Sequence, residues 1–193
     1  MSQLKELLVE ELQDLLHAEN QLVTALPKLA EAAHHPKLRE AFEKHLMQTQ
    51  AQVQRLNEVF GLLSEEATPK TCRAMVGLIE EGQETIDEGD SKDELAADLA
   101  LIAAAQKVEH YEISGYGTAR SLALQLNERE VAKLLGHTLG EEESADYLLT
   151  EISKPILQQA LSQEQSGMSG EGATTKTARA AGSAKTSHSR SAK

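Results

Sequence analysis

Four long segments of the chain repeat apolar residues at steps of three and four, which is the pattern of an amphipathic helix. The segments cover residues 2–33, 38–63, 95–116 and 131–152. The chain has no tryptophan, two phenylalanines and three tyrosines, so its core must be built from Leu, Ala, Ile and Val. Such a composition favours helices over sheets. The sequence therefore predicts an all-α fold.

Local signals group the four helices into two pairs. His34, His35 and Pro36 separate the first two helices, and proline suits the first turn of the second. Ser91 with Glu94 has the spacing of a capping box that opens the third helix, and Asn127 with Glu130 has the same spacing before the fourth. Because each pair has a short loop, each is expected to be an antiparallel hairpin.

The connection between the pairs is long enough to cross the length of a bundle. It contains a shorter helix, predicted over residues 69–88, with Thr68 as its N-cap and Pro69 in its first turn. Two hairpins joined by such a crossover have the topology of a ferritin-like four-helix bundle. At the other end of the bundle, Pro155 is expected to bend or end the last long helix.

All four apolar stripes contain polar residues near the middle of the helix. They are Glu19 in the first, Thr49 and Gln52 in the second, Glu109 in the third and Glu142 in the fourth. Glu19 and Gln52 are 33 residues apart, and so are Glu109 and Glu142, which places the four at similar heights in two like hairpins. A buried carboxylate costs several kcal/mol unless it is paired or bound to metal.

Facing carboxylates in a bundle core are suited to holding hard or borderline metal ions. Further candidates lie one turn away, since Glu112 follows Glu109, Asp146 follows Glu142 and Gln48 precedes Gln52. His110 is expected on the flank, and Glu141 and Glu143 are expected to face solvent. The predicted metal-site residues are Glu19, Glu109, Glu112, Glu142, Asp146, Gln52 and Gln48.

Several segments are similar to the YciE/YciF family of ferritin-like bacterial stress proteins. They include HAENQLVTALPKLAEAA at 17–33, AAAQKVEHYEISGYGT within 99–126 and AKLLGHTLGEEESADYLL at 132–149. The similarity covers roughly residues 4–155 and leaves out the C-terminal tail. It implies a ferritin-like bundle, a homodimer and a site related to the di-iron centres of rubrerythrin-type proteins.

The chain departs from the di-iron pattern that this resemblance implies. That pattern takes one Glu from each of two helices and Glu-x-x-His from each of the other two. Ala145 stands three residues after Glu142, where the pattern has histidine. On the second helix Gln52 replaces the glutamate and Arg55 replaces the histidine.

Arg55 allows an alternative without metal. Its guanidinium is expected to be able to pair with Glu19 or Glu142 and neutralise them, while Gln48 and Gln52 complete a hydrogen-bonded network. The residues thus leave three interpretations open: a metal-loaded site, with iron or manganese as the expected ion, a metal-free polar core, and a partly occupied mononuclear site.

The net charge of −12 is unevenly distributed. In residues 166–193 five Lys and Arg residues accompany one acid, so residues 1–165 carry −16. This segment contains no Leu, Ile, Val or Phe and cannot offset its ordering entropy. The prediction is a bundle over 1–163 and a disordered basic tail over 164–193, whose charge favours a weak contact with nucleic acid or another acidic surface.

Other function classes lack support in the sequence. The N-terminus has no secretory signal, and the most apolar stretch, 95–105, is short and interrupted by Asp98, so no membrane span is predicted and the expected location is the cytoplasm. The single cysteine, Cys72, excludes an internal disulfide. Motifs for nucleotide binding or hydrolysis are missing.

Two functional hypotheses follow. The first is a ferritin-like metal-carboxylate protein of the stress response that binds iron or manganese and handles oxygen or peroxide. The second is a metal-free, non-enzymatic helical dimer or scaffold with a degenerate site. The sequence leaves open whether the chain is an enzyme, and an enzymatic role would be that of a di-metal oxidase or peroxidase.

Overall fold

The computed structural model describes residues 2–89 and 91–180, with side chains described as far as residue 166. Its five helices are α1 (Gln3–Ala32), α2 (Pro36–Leu63), α3 (Arg73–Gly89), α4 (Glu94–Gln125) and α5 (Arg129–Ala180). The described residues contain no β-strand, which confirms the all-α prediction.

The four long helices form a bundle of two hairpins. Helices α1 and α2 pack as one pair and α4 and α5 as the other, while α2 faces α5 and α1 faces α4. Asp98, near the start of α4, accepts hydrogen bonds from the backbone N–H groups of His34 and His35 at 2.8 Å each. Further along α4, Tyr116 contacts Glu19 of α1. Helix α4 is therefore antiparallel to α1.

Residues 64–93 form the crossover between the hairpins, and α3 packs against α1 and α4. A chain that goes up in α1, down in α2, down again in α4 and up in α5 needs this long return. The connectivity is that of a ferritin-like bundle, which confirms the predicted topology. In the described part of the chain, no helix has both the length and the hydropathy that crossing a bilayer requires.

Several predicted helix ends are wrong. Helix α4 is capped by Asp93, whose Oδ1 accepts from the N–H groups of Leu95 and Ala96 at 3.1 and 3.0 Å. The predicted cap, Ser91, instead donates its hydroxyl to the carbonyl of Glu88 at the preceding turn. Polar residues close together in a loop compete for the same role, so spacing alone selected the wrong one.

Asn127 ends α4 and does not cap α5. Its φ of 61° is in the left-handed region, and the N–H of Glu128 donates to the carbonyl of Ala123 at 2.9 Å. This pairing is a Schellman motif, in which asparagine can take the place usually held by glycine. The predicted capping box of Asn127 with Glu130 is therefore wrong.

Helix α3 begins at Arg73, four residues after the predicted start at Pro69. The segment before it lies along α1, where the N–H of Lys70 donates to the carbonyl of Gln13 at 3.1 Å. The buried Cys72 precedes the first turn, and its Sγ accepts from the N–H of Met75 at 3.3 Å.

Pro155 does not end the last helix, because α5 continues to Ala180. Proline removes one backbone hydrogen bond, but Ile152 and Ile156 on either side are buried in the core and hold the helix in place. The helix passes the predicted boundary at 163, and the disorder predicted for 164–193 stays a prediction. Residues 181–193 lie outside the described residues.

The interior of the bundle is divided into three layers. We call the apolar cluster at the end of the bundle where α1 connects to α2 the α1–α2 end cluster; it includes Leu26, Phe42, Met75, Ile102 and Ile152. The cluster at the opposite end, where α4 connects to α5, is the α4–α5 end cluster; it includes Leu8, Leu12, Leu56, Phe60 and Leu135. Between them is a polar layer of buried side chains, composed of Glu19, His45, Thr49, Gln52, Glu109, Glu112, Thr138 and Glu142.

Candidate metal centre

The polar layer brings together carboxylates from three helices. Glu19 comes from α1, Glu109 and Glu112 from α4 and Glu142 from α5, and each is at most 3% exposed. The 33-residue separation predicted that Glu19, Glu109 and Glu142 lie at a common height, and the structure places all three in this layer. Glu112, one turn from Glu109, joins them.

Four side chains of the layer form a compact group of ligand type. His45, Glu109, Glu112 and Glu142 each offer one nitrogen or oxygen, and these atoms all lie within 4.8 Å of one another. The Nε2 atom of His45 is 3.4 Å from Oε1 of Glu109 and 3.5 Å from Oε2 of Glu142. We call these four residues the ligand cluster.

Many polar atoms of the layer have no hydrogen-bond partner among the described residues. They include both oxygens of Glu112, both ring nitrogens of His45 and one oxygen each of Glu19, Glu109 and Glu142. Buried polar atoms are almost always satisfied, so a group of seven unsatisfied ones calls for a ligand or for protons. Three carboxylates with one imidazole suit a borderline divalent metal, and the residues therefore fit such an ion.

Two neighbours each donate a hydrogen bond to one carboxylate oxygen of the layer. The hydroxyl of Tyr116 donates to Oε1 of Glu19, and the amide of Gln52 donates to Oε1 of Glu142. Tyr116 is therefore a hydrogen-bond partner of a carboxylate in the layer. Tyr111 instead contacts Asp14 and lies 3.0 Å from the sulfur of Cys72.

Arg55 does not neutralise the buried glutamates by direct pairing. Its Nη1 donates to Oε2 of Glu141 at 2.7 Å and to the hydroxyl of Thr138 at 2.6 Å. Gln52 donates to the same Glu141 oxygen at 3.1 Å. The expected pairing of Arg55 with Glu19 or Glu142 is therefore wrong. So is the expectation that Glu141 faces solvent, because the long Arg55 side chain reaches across from α2 to hold it.

Burial governs the protonation of the layer. It raises the pKa values of Glu19, Glu109 and Glu112 well above their ordinary value, and neighbouring carboxylates raise them further. Burial likewise raises the pKa of Glu142 to about 7 and lowers that of His45 to about 4. At neutral pH the imidazole is therefore uncharged, as a metal ligand must be, and metal binding would displace protons from the carboxyl groups.

Four of the predicted site residues lie outside the ligand cluster: Glu19 and Gln52 are in the polar layer beside it, and Asp146 and Gln48 are outside the layer. Asp146 points to the flank, where Gln106 donates to its Oδ1 at 2.8 Å and His110 approaches the same oxygen at 3.4 Å. Gln48 is half-buried beside His45 at an opening between α2 and α5. His110 lies on the flank, as predicted, with its side chain 69% exposed.

His45 was not among the predicted ligands. The pattern of Glu-x-x-His places histidine after the glutamate, whereas His45 precedes Gln52 by seven residues, which is two helical turns. The available signal was the apolar stripe of α2, in which His45, Thr49 and Gln52 interrupt the same face.

Most of the chain matches a known protein family. Residues 3–162 match the family model described as a domain of unknown function, DUF892. The chain belongs to this family. The family's description assigns no activity to it. The resemblance to YciF-type proteins is confirmed by two comparisons with the E. coli protein of that name.

Relatives of this DUF892 chain share both sequence and fold. Protein YciF of Escherichia coli is 46% identical over 154 residues, covering 79% of this chain and 92% of that protein. The crystal structure of this E. coli stress protein matches with a TM-score of 0.78 and 42% identity, over 82% of this chain and 99% of that one.

Two further solved structures match the DUF892 fold described above. YcfI from Rhodopseudomonas palustris has a TM-score of 0.74 and 37% identity, over 78% of this chain and 94% of that one. A protein from Xanthomonas campestris has a TM-score of 0.66 and 25% identity, over 84% and 99% of the two chains.

Proposed function

We propose that this protein binds a transition metal, iron or manganese, in the polar layer of its bundle. His45, Glu109, Glu112 and Glu142 are the proposed ligands, and Glu19 is the adjacent carboxylate. The observation that carries the proposal is the group of four buried ligand-type side chains within 4.8 Å of one another. Within that group, Glu112 has both oxygens buried and without a hydrogen-bond partner in the described chain.

The proposed role is the handling of oxygen or peroxide during stress. A bound iron or manganese ion supplies redox chemistry that side chains lack. The residues of the chain would hold the ion, exclude bulk water by means of the two end clusters, and release protons from the carboxyl groups as the ion enters. The description of the E. coli relative as a stress protein supports the physiological part of the proposal.

Metal content of the purified protein tests this function. The protein is prepared without chelator and analysed for metals, and the apo-protein is titrated with Mn²⁺ and with Fe²⁺ under anaerobic conditions. We expect binding that raises the thermal unfolding temperature, since a ligand that binds only the folded state stabilises it. Glu112→Gln should abolish that response, whereas Glu58→Gln, at an exposed position on α2, should leave it intact.

Two results would contradict the proposal. One is less than about 0.1 metal ion per chain after titration, since a real site fills when its ligands are deprotonated. The other is an equal response of the Glu112→Gln variant and the wild type, which would place any bound metal elsewhere.

A metal-free scaffold is the second candidate function. Its specific support is the α2 helix, which contributes one imidazole, one hydroxyl and one amide but no carboxylate to the layer, and the hydrogen bond that Gln52 donates to Glu142. In this case protons alone would neutralise the glutamates. The scaffold would act as a homodimer, which sedimentation equilibrium tests directly. A contact of the basic tail with nucleic acid is a further proposal, and binding that is insensitive to salt would exclude it.

A further inference from the structure

A narrow opening between α2 and α5 ends at the ligand cluster. It encloses about 50 Å³ and passes from exposed side chains at the surface to buried ones in the polar layer. The residues that matter here are Lys44 and Ser144 at the outer end, Gln48 and Ala145 at mid-depth, and His45 and Glu109 at the inner end.

The size of the opening restricts what can pass. A water molecule needs at least about 10–15 Å³ of such volume, so the opening holds a few water-sized particles. Pockets for organic ligands measure roughly 300 Å³ or more. The opening therefore admits a cation with few waters or another small inorganic species, and it excludes a typical metabolite.

The inner end of the opening presents a ligand atom without a partner. His45 is 6% exposed, and neither of its ring nitrogens has a hydrogen-bond partner among the described residues. Glu109, beside it, likewise has an oxygen without a partner. An arriving cation would meet these two side chains first, before Glu112 and Glu142.

The width of the opening depends on two half-buried residues. Ala145 contributes only a methyl group from α5, at the place where the sequence pattern would have a histidine ring, and Gln48 extends toward His45 from α2. A larger side chain at position 145 would occupy the space that the methyl group leaves free.

We propose that this opening is the entry route of the divalent cation to the ligand cluster, with Ala145 and Gln48 setting its width. The inference rests on the proposed metal-binding function. It adds the path of the ion and two residues that act on the rate of binding without being ligands.

The test measures loading and release rates of Co²⁺, whose absorption spectrum reports ligation without any assay of activity. Ala145→Leu should slow both loading and chelator-driven release by about ten-fold or more, with unchanged stoichiometry and equilibrium affinity, because a barrier on the path changes both rates equally. Gln48→Ala should accelerate both rates. Ala51→Leu, the same substitution at an exposed position on α2, should change neither.

The outcomes separate this inference from the function on which it rests. If the wild type takes up no Co²⁺, Mn²⁺ or Fe²⁺, the proposed function fails and the route with it. If the wild type binds Co²⁺ but both variants load at its rate, only the route fails. A loss of equilibrium affinity in Gln48→Ala would make Gln48 a ligand and would also overturn its role as part of the passage. Should Ala145→Leu not fold, the Gln48→Ala rates decide alone.

Discussion

At the two ends of the bundle the four long helices meet through leucine, isoleucine, alanine and phenylalanine, whereas in the polar layer they meet through four glutamates, an imidazole, an amide and two hydroxyls. The ends are stabilised by burial of apolar surface, worth about 25 cal/mol per Å². This contribution to the free energy of unfolding depends neither on metal nor on pH. The layer has the opposite character, because each buried carboxyl group must be protonated or bound to a cation.

The comparison shows how a bundle can hold an unfavourable site. The end clusters lie on both sides of the layer along the same four helices, so they fix the height and rotation of each polar residue. A side chain such as Glu112 could rotate to solvent in a loop, but on α4 its backbone is held by apolar residues above and below it. Stability and the site are thus supplied by different parts of the same helices.

The largest expected effect is at an apolar end. Leu12→Ala removes a fully buried side chain of the α4–α5 end cluster. It should lower the free energy of unfolding by about 2–5 kcal/mol, the usual cost of such a cavity. Urea titration should give the same loss with chelator and with metal. Leu4→Ala, at a 49% exposed position on the same helix, should change stability by less than about 0.5 kcal/mol.

Substitutions in the polar layer should act in the other direction. The double variant Glu109→Gln, Glu142→Gln keeps side-chain volume and removes two ionisable groups from the layer. In the presence of chelator it should be as stable as the wild type or more stable by about 1–3 kcal/mol, because replaceable buried charges often cost stability. The same variant should lose the stabilisation by metal. A destabilised variant that still responds to metal would contradict both statements.

The long helices and their apolar stripes, which form the clusters at the two ends of the bundle, could be predicted from the sequence. Burial imposes a period of three and four on every residue of a stripe, so the long helices follow from many positions at once. Helix termini depend on single hydrogen bonds between neighbouring polar residues. Ser91 and Asp93 both satisfy the preferences for an N-cap, and only the fold shows that Asp93 does so.

The polar layer was predictable only in part. Equal spacing located Glu19, Glu109 and Glu142, because one antiparallel hairpin repeats the geometry of the other. Asp146, a predicted ligand, lies outside the ligand cluster, since the four-residue step rotates it about 40° from Glu142 toward the flank. The Arg55–Glu141 pair depends on how far a long side chain reaches between helices, and periodicity carries no information about that.

In the presence of chelator, the free energy of unfolding should depend on pH through the buried carboxyl groups of the polar layer. The pKa of Glu142 is raised from 4.5 to about 7, and burial also raises the pKa values of Glu19, Glu109 and Glu112 well above their ordinary value. The native state therefore binds protons that the unfolded state releases, so this stabilisation is fully present below about pH 4.5 and is lost as the pH rises through 7. His45 has the opposite effect, because burial lowers its pKa from 6.5 to about 4. Below pH 6.5 the unfolded state therefore binds a proton that the native state does not, and the free energy of unfolding falls as the pH is lowered.

Above pH 6.5 the glutamates alone determine the slope. The free energy of unfolding should fall with rising pH by about 1.4 kcal/mol per unit for each proton released, as measured by urea titrations between roughly pH 6.5 and 8.5. The Glu142→Gln variant should show a shallower slope, and Leu12→Ala should show the slope of the wild type. A flat profile in the wild type would mean that the layer is already neutralised by something other than protons.

The smallest expected effect isolates a single hydrogen bond between the layer and the adjoining cluster. Tyr116 is fully buried, and its ring packs in the α4–α5 end cluster while its hydroxyl donates to Glu19. Tyr116→Phe keeps the ring and should cost about 1 kcal/mol, the typical worth of such a bond. Because that bond lowers the pKa of Glu19, its loss should also weaken metal binding slightly. Tyr147→Phe, at a 64% exposed position, is the matched control. A loss as large as that of Leu12→Ala would mean that the hydroxyl holds the ring in place, and that the boundary between cluster and layer is itself part of the core.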